Sequence, residues 1–291
     1  MPDVLIKAIA KNSNIKITAV YTKDIVERAR KIHMTLPVAT AALGRTLSAA
    51  SIMGANLKNE EGSVTVQFKG NGPLGSIVCV SDSFGNVRGY LQNPALDIPL
   101  KENGKLDVSG GVGTSGYLTV IKDIGMNEPF VGTTNIVSGE IAEDITAYYA
   151  SSEQIGAACS LGVLVDTDQS VKQAGGYILE VMPNLSEEDF AILEENIASV
   201  KPVTTMLDEG KSLEDIINIV LAGFEVSILE KTDITYDCKC TEERVTKALI
   251  SIGKKELLEI AEEEEKIEMT CQFCDRIYKF SKDDILNIIK E

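Results

Sequence analysis

The chain has no tryptophan and a single histidine, His33, and only 5% of its residues are aromatic. One imidazole excludes His-rich zinc catalysis of the H-E-x-x-H type and leaves one candidate base for any Ser-His or Cys-His pair. Positive charge is also scarce, with 28 Lys and Arg against 44 Asp and Glu and a formal charge of −16. That balance argues against nucleic acid or an anionic membrane as partner, because both demand a positive field. Long apolar runs are missing too. The best candidate, Leu36 to Leu57, is interrupted by Arg45 and by Ser, Thr and Gly, and falls short of the roughly 18 uncharged apolar residues of a membrane span. Met1 to Lys7 shows no basic region followed by an apolar core, so no signal peptide and a cytoplasmic location are expected. In that reducing compartment six cysteines are expected to serve as ligands, buried thiols or redox sensors rather than structural disulfides.

What is present is globular: 291 residues, 44% hydrophobic and 25% charged, which excludes wholesale disorder. The predicted fold class is α+β, in three segments. Residues 1–183 read as a mixed sheet-and-helix domain. Val4–Ala10 and Asn14–Tyr21 form a hairpin around Lys11-Asn12-Ser13. Further strands are predicted near 63–69, 75–81, 87–91, 117–122, 130–137, 160–165 and 176–182. Helices fit at 22–33, 37–57 and 140–151, the second opening on Pro37. Its Ala39, Ala42, Ala50 and Gly54 are small enough to let another element approach closely. Residues 184–233 read as a helical linker with little core of its own. Ser186-Glu187-Glu188-Asp189 and Ser212-Leu213-Glu214-Asp215 open two capped helices, and Pro202 ends the first. Residues 234–291 read as a small domain that needs a metal, disulfides or a partner to hold itself together.

Two glycine patterns match G-x-G-x-x-G, Gly70 to Gly75 and Gly111 to Gly116. A dinucleotide site needs a helix after that pattern, whereas strand-like runs follow both, so turn glycines are the better reading. His33 is expected at a helix end, interacting with terminal carbonyls. Cys79 and Cys159 stand among apolar neighbours and are expected in the core. Glu262 to Glu265 is expected to be a solvated charge run. Consecutive helical positions point in different directions, and acidic residues at a helix C-terminus oppose the macrodipole.

The strong signal is Cys238-Lys239-Cys240 followed, after thirty intervening residues, by Cys271-Gln272-Phe273-Cys274. Paired cysteines at two separated sites bring four thiolates to one tetrahedral metal, with zinc the usual occupant. Thr241 is expected to cap a helix through Val245, Leu249 and Ile252, and a second helix follows through Leu257. The C-x-x-C falls at the turn of a hairpin between Ile267 and Phe280, and Ser281 caps a last helix. Cα atoms at i and i+2 in a strand lie nearly 7 Å apart, about the limit for a disulfide, so the C-x-C must bend to close. Zinc thiolates remain nucleophiles toward oxidants, and losing the metal would cost an apparent 10–16 kcal/mol, roughly a domain's whole stability.

These cysteines, with Thr241-Glu242-Glu243-Arg244, Gly72-Pro73-Leu74-Gly75, Val87-Arg88-Gly89-Tyr90, the stretch from Gly132 to Glu140, and Tyr149-Ala150-Ser151-Ser152-Glu153-Gln154, resemble the redox-regulated heat-shock chaperone family, the 33 kDa chaperonins. The resemblance covers the whole chain. It implies an ATP-independent holdase rather than an enzyme, inactive while the four reduced cysteines bind one zinc ion. It implies that oxidation pairs Cys238 with Cys240 and Cys271 with Cys274, expels zinc and unfolds the C-terminal segment and linker. Unfolding client proteins would then bind exposed apolar surface, and the activated form would dimerise. Phe190, Leu193, Ile197, Ile216 and Ile219 of the linker helices are the expected source of that surface. Two other classes fit the sequence less well. A nucleic-acid module lacks its basic footprint, since residues 236–291 carry 10 Lys and Arg against 14 Asp and Glu. An enzyme in residues 1–183 would have to build its site around His33.

Overall fold

The computed structural model of the chain describes residues 1–11, 13–263 and 266–288. Asn12 of the first predicted turn, and Glu264 and Glu265 of the glutamate run, lie outside the described residues. The described chain separates into two compact units, Met1–Tyr236 and Asp237–Glu291. The α+β class is observed.

The first unit holds two five-stranded sheets whose pairings are all antiparallel among the described residues. Its strands are β1 (Val4–Ala10), β2 (Ile15–Tyr21), β3 (Ser63–Gly70), β4 (Ser76–Asp82), β5 (Val87–Leu91), β6 (Gly116–Asp123), β7 (Phe130–Asn135), β8 (Gly156–Val165), β9 (Val171–Val181) and β10 (Val226–Asp233). One sheet runs β10-β1-β2-β9-β8 and the other β5-β4-β3-β6-β7. Helix α1 (Lys23–His33) leads to α2 (Pro37–Ala55), which packs against strands of both sheets. Every residue of α2 except Pro37 and Arg45 is buried. Its small residues do what the sequence suggested: a Cβ added at Gly54 would stand 2.3 Å from Ser81 Oγ, and one at Gly44 would stand 2.7 Å from Val163. An apolar helix of this length is therefore a central core helix. No helix among the described residues is long and apolar enough to cross a membrane.

The two glycine loops pack backbone to backbone. The Gly72 and Leu74 N–H groups donate to Val112 O and Gly111 O, each at 2.9 Å, beside the short helix α3 (Val108–Val112). A Cβ at Gly72 would stand 2.3 Å from Gly111 O, so close approach requires glycine there. Strands β4 and β6 follow the loops, as expected of turns. The predicted helix at 140–151 is shorter and ends differently: α4 (Ala142–Tyr148) runs into a π-helical turn, Tyr149–Glu153.

Residues 184–233 carry α5 (Glu187–Ser199), α6 (Val203–Asp208) and α7 (Leu213–Val220) before β10. Ser186 and Ser212 cap α5 and α7 as predicted. The helices have a defined seat. Leu193, Val203, Met206, Leu213, Ile216 and Val220 share a core with Ile6, Ile15, Ile17, Tyr177 and Leu179 of β1, β2 and β9. Strand β10, which the sequence shows only as a mixed run, joins the sheet edge against β1.

The second unit comprises α8 (Glu242–Ile252), α9 (Lys254–Glu263), the hairpin β11 (Lys266–Thr270) and β12 (Ile277–Ser281), and α10 (Lys282–Ile288). Among the described residues its core has four buried side chains, Leu249, Leu257, Phe280 and Ile285, with partly buried neighbours around them.

Candidate metal centre

The four cysteines come from two short segments, the stretch before α8 and the turn between β11 and β12. Cys238 and Cys240 lie in the extended approach to α8, whose cap holds them in place. Thr241 Oγ1 accepts from the Arg244 N–H at 3.3 Å, and the Arg244 guanidinium reaches back to Lys239 O at 3.0 Å. Thr241 and Arg244 thus clamp the C-x-C from behind, consistent with the capping role read from the sequence. Cys271 and Cys274 occupy the turn between β11 and β12. There the Cys274 and Asp275 N–H groups donate to Cys271 O at 3.3 and 2.8 Å, and Cys271 N–H donates to Arg276 O at 2.9 Å. Asp275 takes the left-handed conformation that closes this knuckle, with φ 53°.

The four Sγ atoms lie within 4.8 Å of one another. Cys238 and Cys271 are 3.7 Å apart, and Cys240 and Cys274 are 3.3 Å apart. All six cysteines of the chain are free thiols. A tetrahedron of metal–sulfur bonds of about 2.3 Å has sulfur–sulfur edges of about 3.8 Å, so the cluster is of the right size to close on one ion. Four soft sulfur donors at this spacing could hold a metal ion, and the donor set suits zinc.

Electrostatics set the thiols apart. Burial, reinforced by hydrogen bonds with the neighbouring thiols and only partly offset by the Cys240 N–H, pushes the Cys238 thiol well above its ordinary range. Cys240 goes the other way. Burial raises it, but hydrogen bonds with Tyr278 and the other three thiols outweigh burial and bring it down to about 7. A bound cation would draw off the protons that the thiols retain. Cys79 and Cys159 lie on β4 and β8. Cys79 is buried in the core as expected, whereas Cys159 is only partly buried and packs against it; desolvation pushes both thiols up.

The remaining candidates are scattered. Leu193 and Ile216 are buried beneath the linker helices, Ile197 is partly buried there, and Phe190 and Ile219 are exposed. These five residues do not form one surface patch in this state. His33 ends α1 as expected, and its Nε2 lies 2.9 Å from Gly89 O on β5 and 3.5 Å from the Tyr236 hydroxyl. Met34 turns left-handed and closes the helix itself, with its N–H donating to Arg30 O. One residue escaped the sequence reading. The Tyr278 hydroxyl donates to Cys240 Sγ at 3.2 Å, and nothing in a β-strand alternation marks a tyrosine as a sulfur partner.

A family model described as "Hsp33 protein" matches residues 3–281. The 33 kDa chaperonin of Clostridioides difficile strain 630 is 49% identical over 291 residues, spanning 100% of both chains. That of Acetivibrio thermocellus is 44% identical over 290 residues, spanning 100% of this chain and 98% of the relative. Among solved structures, the crystal structure of the 33 kDa chaperonin (Hsp33 homolog) from Thermotoga maritima superposes with a TM-score of 0.91 at 35% identity, covering 100% of this chain and 98% of that one.

Proposed function

Because the chain belongs to the Hsp33 family, a family of chaperones rather than enzymes, we propose that it is a redox-regulated, ATP-independent holdase of the cytoplasm. It binds unfolding proteins once oxidised and dimerises when activated. The observation that carries this reading is the cluster of four free thiols within 4.8 Å of one another, in a unit whose own core is four side chains.

In the reduced state Cys238, Cys240, Cys271 and Cys274 hold one zinc ion, which supplies the cross-link that the small core lacks. Peroxide changes the ligands themselves. A thiolate sulfur attacks one peroxide oxygen, the O–O bond breaks with its electron pair leaving as hydroxide, and a sulfenic acid forms. A second thiolate then attacks that sulfur, expelling hydroxide and leaving a disulfide. Two such events pair Cys238 with Cys240 and Cys271 with Cys274, and no thiolate ligand is left. Disulfides closing loops of one and two residues restore little chain constraint, so residues 234–291 lose their fold. Residues 184–233, the linker, then leave their seat, and Phe190, Leu193, Ile197, Ile216 and Ile219 become available to clients.

The test follows zinc release and suppression of aggregation together in reduced protein treated with hydrogen peroxide at elevated temperature. Both should rise in step and be reversed by reductant plus zinc. Zinc release without holdase activity would make the cysteines a purely structural site and overturn the proposal.

A further inference from the structure

Cys238, Cys240 and Cys274 each have a donor outside the thiol cluster. Cys238 and Cys274 take theirs from backbone N–H groups, those of Cys240 and Arg276. Cys240 takes its from the Tyr278 hydroxyl. Of these three donors, that hydroxyl is the one a substitution can remove while leaving the backbone in place. Tyr278 is held for the task. It faces Met269 across the β11–β12 hairpin and shares a strand face with Phe280, which is buried in the core of the unit. Its ring is half-buried, and the nearby Arg276 guanidinium favours negative charge on its hydroxyl. A cation, a phenol and a sulfur therefore lie close together, and the cation polarises the hydroxyl that donates to the sulfur.

Resting on the four-thiolate reading above, we propose that Tyr278 is a positioning residue of the redox switch, whose hydroxyl restrains Cys240 and delays its oxidation. Four thiolates around a divalent cation leave a net charge of about −2, in a protein that is itself acidic. A donor at one sulfur draws off part of that charge and engages a lone pair. Attack on peroxide uses such a lone pair: it forms the S–O bond as the O–O bond breaks and hydroxide departs. Removing the donor makes Cys240 the more electron-rich sulfur and the earlier one to be oxidised. Outer partners of this kind also tune how firmly a ligand set holds its metal.

The experiment uses the full-length chain and Tyr278→Phe, which keeps the ring and removes the hydroxyl. With Co(II) bound, the thiolate-to-cobalt charge-transfer band of the variant should move to lower energy. With zinc bound, thiol oxidation by hydrogen peroxide should accelerate roughly three- to tenfold, with dimedone-trapped sulfenic acid enriched at Cys240. Arg276→Gln should change both readouts in the same direction by a smaller factor. A Phe variant that binds one metal per chain with an unaltered spectrum and rate overturns the inference and leaves the metal centre standing. So does a Phe variant that binds no metal while Arg276→Gln behaves as the unaltered protein, which would make Tyr278 structural. Absence of thiolate bands in the unaltered protein would overturn both the metal reading and this one.

Discussion

Met1–Tyr236 and Asp237–Glu291 are stabilised by different means. The first unit closes two sheets around a helix buried along nearly its whole length, and seats three more helices on the outer face of one sheet. The second buries four side chains and places four thiols where one ion would join them. Apolar burial is distributed over many contacts, so no single chemical event removes it. A metal's contribution is concentrated in four atoms, and all four are open to oxidation. On the proposed function, that difference directs a redox signal to the second unit first.

The largest test of that contrast is Cys240→Ser. It should abolish stoichiometric metal binding, removing on the order of 10–16 kcal/mol of linked binding energy. Limited proteolysis should then cut within 237–291 and the released linker 184–233, while the sheets and α2 of residues 1–183 stay intact. Cleavage spread equally over both units would break the contrast. Next is Leu47→Ala in α2, at a site with 0% exposure. It should cost the first unit about 2–5 kcal/mol in denaturant unfolding while leaving metal content unchanged.

Acid should separate the units as well. Thiolates bind metal only when deprotonated, so zinc should leave the second unit as the solution is acidified; full occupancy down to about pH 4 would count against four-thiolate ligation. The first unit carries a carboxylate that resists acid. Arg30, hydrogen-bonded to Glu27 at 2.7 and 2.8 Å, holds that carboxyl well down, with the Val171 N–H and Lys31 assisting, at about 2. A depressed carboxyl contributes stability above its ordinary range and loses it as pH falls toward about 2. The melting-temperature gap between the unaltered protein and Glu27→Gln should therefore be widest near neutrality and close toward that pH. An equal gap at pH 7 and pH 2 would contradict the pairing. The smallest stability effect is expected for Phe190→Ser with Ile219→Ser, both exposed. Each should shift stability by no more than about 0.5 kcal/mol and leave zinc content unaltered, while holdase activity falls. Unchanged activity would remove these residues from the client surface.

The four-thiol cluster was legible because its signal is one-dimensional: cysteine identity and spacing suffice, and the caps at Thr241 and Ser281 sit where the sequence places them. Strand alternation likewise located β3, β4, β5 and β6 well. What stayed hidden depends on partners far along the chain. Strand β10 is an edge strand with mostly exposed side chains, so it carries no alternating pattern; its pairing with β1 is visible only in three dimensions. The linker helices showed their apolar stripes but not the sheet face that receives them. His33 was placed at its helix end, while Gly89, its partner 56 residues away, had no local signature. Tyr278 belongs to the same class: its ring obeys the strand pattern, and its hydroxyl obeys the metal site.

The most direct measurement is hydrogen exchange of the full chain before and after peroxide oxidation. Amides in 237–291 should lose protection as zinc leaves, while those of α2 and the central strands β2, β3 and β9 remain protected. Retained protection across 237–291 after the zinc has gone would show that the four thiolates do not hold that unit together.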